Sequence, residues 1–191
     1  MSILREVRPA VSMVVLFTIL LGVVIPGLFT GAMQLALPEQ ANGSLITEHD
    51  QAIGSALIGQ NFTSAKYFQP RPSALSTAYD AGTSGASNLA PTSATLIKTV
   101  QQRVAAYIKA YGPGPVPADA VTSSGSGLDP DISLANALRQ APAVAAARHL
   151  PTATVVALVN RLAHHAFLGI IGTTHVNVLA LNLALDHPPA P

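Results

Sequence analysis

A chain of 191 residues that is 49% hydrophobic and 10% charged is too apolar for a disordered protein and long enough for one domain with an appendage. Its formal charge of +1 comes from dispersed residues, and the three lysines, Lys66, Lys98 and Lys109, form no basic run, so the electrostatic footprint of a nucleic-acid partner is missing. With no cysteine there is neither a disulfide scaffold nor a cysteine-ligated metal site, and the compartment has to be read from the N-terminus.

From Pro9 to Pro38 no residue is charged. The run VSMVVLFTILLGVVIPGLF matches the roughly 20 apolar residues of a bilayer-spanning helix, and it exceeds the apolar region of a cleaved signal peptide, about 7 to 15 residues. No A-x-A cleavage pattern follows. The reading is a short N-terminus at 1–10, a transmembrane helix at 11–31 and an outer domain at 39–191. Arg5 and Arg8 precede the span and the next Lys or Arg after it is Lys66, so the positive-inside rule puts the N-terminus in the cytoplasm and the domain outside. Pro26 removes one helical hydrogen bond and is expected to kink or end the helix. Gly27 and Gly31 form a G-x-x-x-G that lets another helix approach, or else mark the outer end of a lone anchor.

Beyond the span, Leu45–Ile46 and Ala56–Ile58 read as short strands among turn formers. The stretch 67–93 is dense in proline, glycine and serine, yet Tyr67, Phe68, Arg71 and Tyr79 argue for an ordered loop. SATLIKTVQQRVAAYIKAY places Leu96, Val100, Val104 and Ile108 four apart, with Ile97 and Tyr111 extending the stripe, and Gly112 and Pro113 stop the helix. VPADAVTSS reads as a strand leading into VTSSGSGLDPDIS. Ser133 is an N-cap for SLANALRQA, and Pro142 is expected to separate that helix from a second helical stretch, APAVAAARHL. PTATVVALVNRLAHHAF predicts a helix with Val155, Leu158, Val159 and Leu162 on one face, and VNVLALNLALD a last helix. The fold class is α+β: one transmembrane helix followed by a mixed, helix-rich extracytoplasmic domain.

Chemistry is sparse. No lysine follows a glycine, so there is no P-loop, and no serine sits in a G-x-S-x-G elbow. His149, His164, His165 and His175 lack H-E-x-x-H spacing and read as exposed or capping histidines, so no metal site is expected. Asp129, Asp131 and Ser133 resemble the start of a calcium loop, but the pattern breaks off and a turn followed by an N-cap fits better. Arg71, between prolines and near aromatic residues, reads as packed against the domain. By composition Gln140 and Arg148 read as a solvated helix face.

Taken in order, ANGSLI, GSALIGQNF, YFQPRPSA, SGASNLAP, VTSSGSGLDPDIS, APAVAAARHL and VNVLALNLALD resemble, end to end, the C subunits of potassium-transporting Kdp ATPases. The resemblance implies a non-catalytic, single-span accessory subunit in the bacterial plasma (inner) membrane. Its partners would be a potassium-channel-like subunit and a catalytic P-type ATPase subunit; D-K-T-G, the phosphorylation motif of such pumps, is absent from this chain. It singles out Ser124, Gly125, Ser126, Gly127, Asp129, Gln140 and Arg148 as partner or nucleotide-affinity positions, and Arg71 and Asn88 as a structural or partner-contact loop. ATP enters only through this resemblance, as a ligand whose affinity for the catalytic subunit the C subunit raises. The topology opposes direct contact, because it puts Gln140 and the SGSGLDP loop on the far side of the membrane from cytoplasmic ATP. Two departures stand out: Ala86 where the family has glycine, and Ala143 where it has arginine. The alternative reading is an independent membrane-anchored enzyme or ligand-binding module.

Overall fold

The structure, a computed structural model, describes residues 3–187 and separates the chain into two compact units, Met1–Leu45 and Ile46–Pro191. In the first, α1 (Ile3–Ile19) runs through a widened π-helical turn at Leu20–Val24 into α2 (Ile25–Ala36). The resulting helix is unbroken from Arg5 to Ala36, 32 residues long, and long and apolar enough to cross a membrane. It extends beyond 11–31 at both ends. Pro26 does not end it. The proline ring would crowd the carbonyl four residues earlier, and the wide turn just before it, closed by the Ile25 N–H on the Leu20 carbonyl five residues back, absorbs that conflict. The helix stops at Ala36 because Leu37 precedes Pro38, and a residue before proline is driven out of helical conformation. A single turn, α3 (Pro38–Ala41), follows and is closed by Asn42, whose amide pairs both ways with that of Gln34 at 3.2 Å.

The second unit begins with a hairpin, β1 (Leu45–Glu48) and β2 (Gln51–Ser55), whose turn residues His49 and Asp50 both have left-handed φ, 49° and 62°. The second strand thus ends before Ala56–Ile58. The Leu57 N–H donates to Ser55 Oγ at 3.1 Å, which turns the chain there. After the long loop 59–93, α4 (Ala94–Tyr111) starts at an N-cap on Ser93 and ends at Gly112, φ 84°. Its inward residue is Tyr107, flanked by half-buried Leu96, Val100, Val104 and Tyr111; Ile97 and Ile108 lie beside that stripe and are exposed. The segment expected as a strand at 116–124 is instead a 3-10 turn, Ala118–Ala120, because Thr122 Oγ1 and the Thr122 N–H both return to the Ala118 carbonyl.

Strand β3 (Asp131–Ser133) pairs antiparallel with β4 (His175–Asn177), placing Ile132 opposite Val176, both buried. Helix α5 (Leu134–Arg148) is continuous through Pro142. Pro142 lies on the exposed face, where water can serve the carbonyl left without a donor. Ala137, Ala141 and Ala145, all fully buried and four apart, let α6 (Thr152–Leu162) pack closely against α5. Val155 and Val159 complete that contact, while Leu158 and Leu162 pack at its margin. Helix α7 (Val178–Asp186) adds Val178, Leu181 and Leu185 to the same core, which Phe68 enters from the long loop. The domain is thus mixed, with its core helices packed on the β3–β4 sheet and a second small sheet, β1–β2, beside them in sequence.

Candidate functional site

Gly27 and Gly31 lie on the helix of the first unit, and the other residues singled out by sequence, Asn88 apart, fall into three neighbourhoods of the second unit. The first is the SGSGLDP loop. Ser124 Oγ accepts from the Gly127 N–H at 2.9 Å and Ser126 Oγ from the Leu128 N–H at 3.1 Å, so the serines cap their own turn. The loop's carbonyls are bound by the long loop: the Ser126 carbonyl accepts from the Gly85 N–H at 2.9 Å, and the Gly127 carbonyl from Ser73 Oγ at 2.8 Å. Gly127 has φ 71°, and a Cβ there would meet Leu75 at 2.7 Å; a Cβ on Gly125 would meet nothing within 4 Å. Gly127 is therefore required by the fold, and Gly125 is not.

Asp129 closes the loop and ties it down. Its Oδ1 accepts from the Asp131 N–H at 3.0 Å, a turn of the Asx type, and its Oδ2 meets Arg71 Nη1 at 2.6 Å. Tyr79 donates its hydroxyl to the Arg71 carbonyl at 2.7 Å, and burial pushes the Tyr79 phenol well above its ordinary range. Arg71 is packed against the domain, as its proline and aromatic neighbours suggest, and its Nε is buried with no partner among the described residues. A groove of about 550 Å³ opens here between Leu57, Arg71, Ser124, Gly125 and Asp129. Asn88 lies outside it, exposed, with φ 51°.

The second neighbourhood corrects the solvated-face reading of Gln140. Gln140 is 1% exposed, and its amide brackets one peptide unit: Oε1 accepts from the Gln69 N–H at 2.7 Å and Nε2 donates to the Gln69 carbonyl at 3.1 Å. Asn182 does the same for the adjacent residue, accepting from the Phe68 N–H at 2.8 Å and donating to the Phe68 carbonyl at 3.0 Å. Two buried amides thus take the place of a neighbouring strand for a loop that has none. Gln140 also donates to Asn136 Oδ1 at 3.0 Å, which accepts from the Tyr107 hydroxyl at 2.9 Å. Burial pushes the Tyr107 phenol up to about 12.

Asp119 anchors the other end of this network. It accepts from the Ser133 N–H, from Ser133 Oγ and from Asn136 Nδ2 at 2.7 to 2.9 Å, while Ser133 Oγ caps α5 by accepting from the Asn136 N–H at 3.1 Å. Asp119, Asn136 and Asn182 were not singled out by sequence. Asn182 had a signal, an amide in the middle of the apolar run VLALNLAL, and Asn136 shares a helical face with Gln140 and the buried Val144.

Arg148 forms the third and is likewise no free surface cation. Its guanidinium donates to the Lys66 carbonyl at 2.6 Å and the Leu185 carbonyl at 3.1 Å, pairs with Asp186 at 2.7 Å and covers the Tyr67 ring at 4.9 Å. The Tyr67 hydroxyl donates to the other Asp186 oxygen at 2.8 Å, and that bond to a carboxylate raises its pKa. The histidines do not gather: His164 and His175 stack at 5.5 Å, and among the described residues no three metal-ligating side chains converge.

The structure thus defines a small domain that carries a membrane-length helix and whose conspicuous polar groups hold its own loops. The family described as "K+-transporting ATPase, c chain" matches residues 7–187. A "Potassium-transporting ATPase KdpC subunit" of Caulobacter vibrioides is 52% identical over 190 residues, 97% of this chain and 96% of that one. Proteins of the same name from Allorhizobium ampelinum and Mycobacterium tuberculosis are 52% identical over 184 residues and 50% over 185, covering 96% and 98% of those chains and 96% and 95% of this one. The chain belongs to the family of c chains of K+-transporting ATPases.

Proposed function

We propose that this accessory subunit of a potassium uptake pump is a single-pass protein of the bacterial inner membrane, with a cytoplasmic N-terminus and an extracytoplasmic domain. Its helix docks on the membrane helices of the catalytic P-type ATPase and channel-like subunits, and its domain packs over the outer entrance for potassium, stabilising the assembly and shaping ion access. The observation that carries this reading is the helix itself: among the described residues no part of its most apolar stretch is buried, and a Cβ on Gly27 or Gly31 would meet nothing within 4 Å. A membrane helix with small residues on an uncovered face has room for a close neighbour.

The nucleotide effect implied by the resemblance is indirect in this proposal. Gln140 is the position that supports this: both ends of its amide are engaged by the Gln69 backbone, so contact with ATP would require the loop to come apart. Ser124 and Ser126 likewise have their hydroxyls turned to the N–H groups of their own turn.

The deciding experiment compares potassium-stimulated ATPase activity of membranes carrying the other pump subunits with and without this chain, and recovers those subunits in mild detergent through a tag on it. Activity and recovery that both depend on the chain are expected; an unaffected pump and an empty tag eluate would overturn the reading in favour of an independent anchored module. Because the native chain has no cysteine, labelling of Ser87→Cys by a membrane-impermeant maleimide in intact spheroplasts tests orientation. Photolabelling of this subunit by an azido-ATP would contradict the indirect nucleotide role.

A further inference from the structure

Between Asp131 and Asp186 the sequence has no aspartate or glutamate, and this stretch builds α5, α6 and most of α7. Where α5 ends and α6 begins, these helices leave a cleft of about 880 Å³ that the end of α7 also lines. Small side chains make the room. Ala147 of α5, Ala153 and Ala157 of α6 and Ala184 of α7 line it, together with Val155 and Leu185 of the core.

The ionisable side chains on the same cleft are all basic: Lys66, Arg148, His149 and Arg161 line it, and among the described residues no carboxylate does. Arg148 already has its counter-charge. Asp186 meets it at 2.7 Å and gives its other oxygen to the Tyr67 hydroxyl at 2.8 Å, so that carboxylate is fully engaged. Lys66 and Arg161 are exposed, and among the described residues neither side chain has a hydrogen-bond or ion-pair partner. An apolar hollow carrying two uncompensated cations is complementary to an anion with an apolar body.

Size narrows the occupant further. Clefts of roughly 300 to 1,000 Å³, mostly apolar with a few polar groups, are those of small ligands, whereas the core of a protein–protein interface is depleted of charge and of lysine in particular. At about 30 Å³ for each methylene-sized group, the share of one water in the liquid, a chain of about 16 carbons with its carboxylate fills roughly 550 Å³. A two-chain phospholipid fills well over about 1,000 Å³ on that scale, more than the cleft holds.

We propose that this cleft is a binding site for a long-chain carboxylate. The acyl chain lies along the alanine-lined walls of α5, α6 and α7, and Lys66 and Arg161 hold the carboxylate at the rim. Arg148 stays with Asp186 and Tyr67. Bonds from lysine or arginine to a carboxylate are charge-assisted, so an uncharged analogue of the same length binds roughly tenfold or more weakly.

The test uses the full chain in phosphatidylcholine nanodiscs and palmitate carrying a diazirine in mid-chain, with cross-linked peptides mapped by mass spectrometry. Palmitate also enters the bilayer, so label in the anchor peptide is the internal control. Saturable label within residues 147–161 is expected, displaced by excess palmitate and roughly tenfold less effectively by methyl palmitate, which keeps the chain and loses the charge. Lys66→Glu combined with Arg161→Glu should reduce that label about tenfold or more, while the anchor label and the thermal midpoint stay as in the parent, because both side chains are exposed. Ala157→Trp, which fills the cleft, should have the same effect on the label. Label confined to the anchor, or displaced equally well by methyl palmitate, overturns the inference. Phosphatidylglycerol in the disc that removes the label as effectively as free palmitate would overturn the single-chain assignment in favour of a membrane lipid. A photo-reactive residue in place of Ala157 that joins another pump subunit in the assembled complex would overturn it in favour of a protein.

Discussion

Gln140 carries a neutral amide into the interior, and both of its ends are engaged by a single residue of a distant loop. Replacing it with alanine removes the partners of the half-buried Gln69 N–H and carbonyl. Gln140→Ala is therefore expected to lower stability by about 2 to 4 kcal/mol, seen as an earlier urea midpoint for the detergent-solubilised chain; an unchanged midpoint would show that the loop is held elsewhere. Asp131 behaves in the opposite sense. Burial, more than the nearby charges, raises its carboxyl pKa, so the folded protein holds that proton more tightly than the unfolded chain. The stabilising contribution is complete below about pH 4, the unfolded carboxylate value, and is lost as the pH rises through the raised folded value. At neutral pH the ionised group weighs against folding. Asp131→Asn should thus raise the thermal midpoint at pH 7, with the gain shrinking towards pH 3.5; equal midpoints across that range would contradict it.

At the scale of elements, the two glycines of the SGSG turn separate folding from partnership. Gly127→Ala forces a side chain onto a left-handed residue and into Leu75, and should cost about 1 to 3 kcal/mol in thermal unfolding. Gly125→Ala meets no neighbour and should unfold like the parent; if it nonetheless impairs the assembled pump, the groove beside Gly125 is a partner contact. Helix α5 offers a second case. Asp119→Ala removes a carboxylate that accepts from Ser133 and Asn136 at the helix start, and a loss of about 2 to 3 kcal/mol is expected, larger than for Ser133→Ala alone. These elements also show how far the sequence could be read. The helical stripes of α4, α6 and α7, the cap at Ser133 and the ordered turn at SGSGLDP follow from local spacing and turn chemistry. Pro26 does not end its helix and Pro142 does not break α5, because a π turn and an exposed helix face each accommodate a proline. Gln140 and Arg148 misled because polarity by itself does not distinguish a solvated side chain from one that serves a distant backbone. Their partners, Gln69 and Lys66, lie 71 and 82 residues away, and no local pattern reports them.

For the whole molecule, the anchor and the domain should fail separately. Substituting both Gly27 and Gly31 with leucine adds bulk to a helix face where the described residues place nothing within 4 Å of either position. Recovery of the other pump subunits through a tag is expected to drop several-fold while thermal unfolding of the domain stays unchanged; undiminished recovery would assign docking to another face or to the domain. The bonds that close the domain are also among the longest-range in the chain. Asn182 reaches Phe68 across 114 residues, Asp186 reaches Tyr67 across 119 and Asn177 reaches Ala56 across 121. Contacts so far apart along the chain form late and slowly, since the intervening loop must be closed before they are rewarded. During synthesis the loop 59–93 is therefore only partly fastened until α7 has emerged: a nascent chain that ends before Asn182 has Asp129 and Gln140 to hold Arg71 and Gln69 but still lacks the groups that pair with the Phe68 backbone and the Tyr67 hydroxyl.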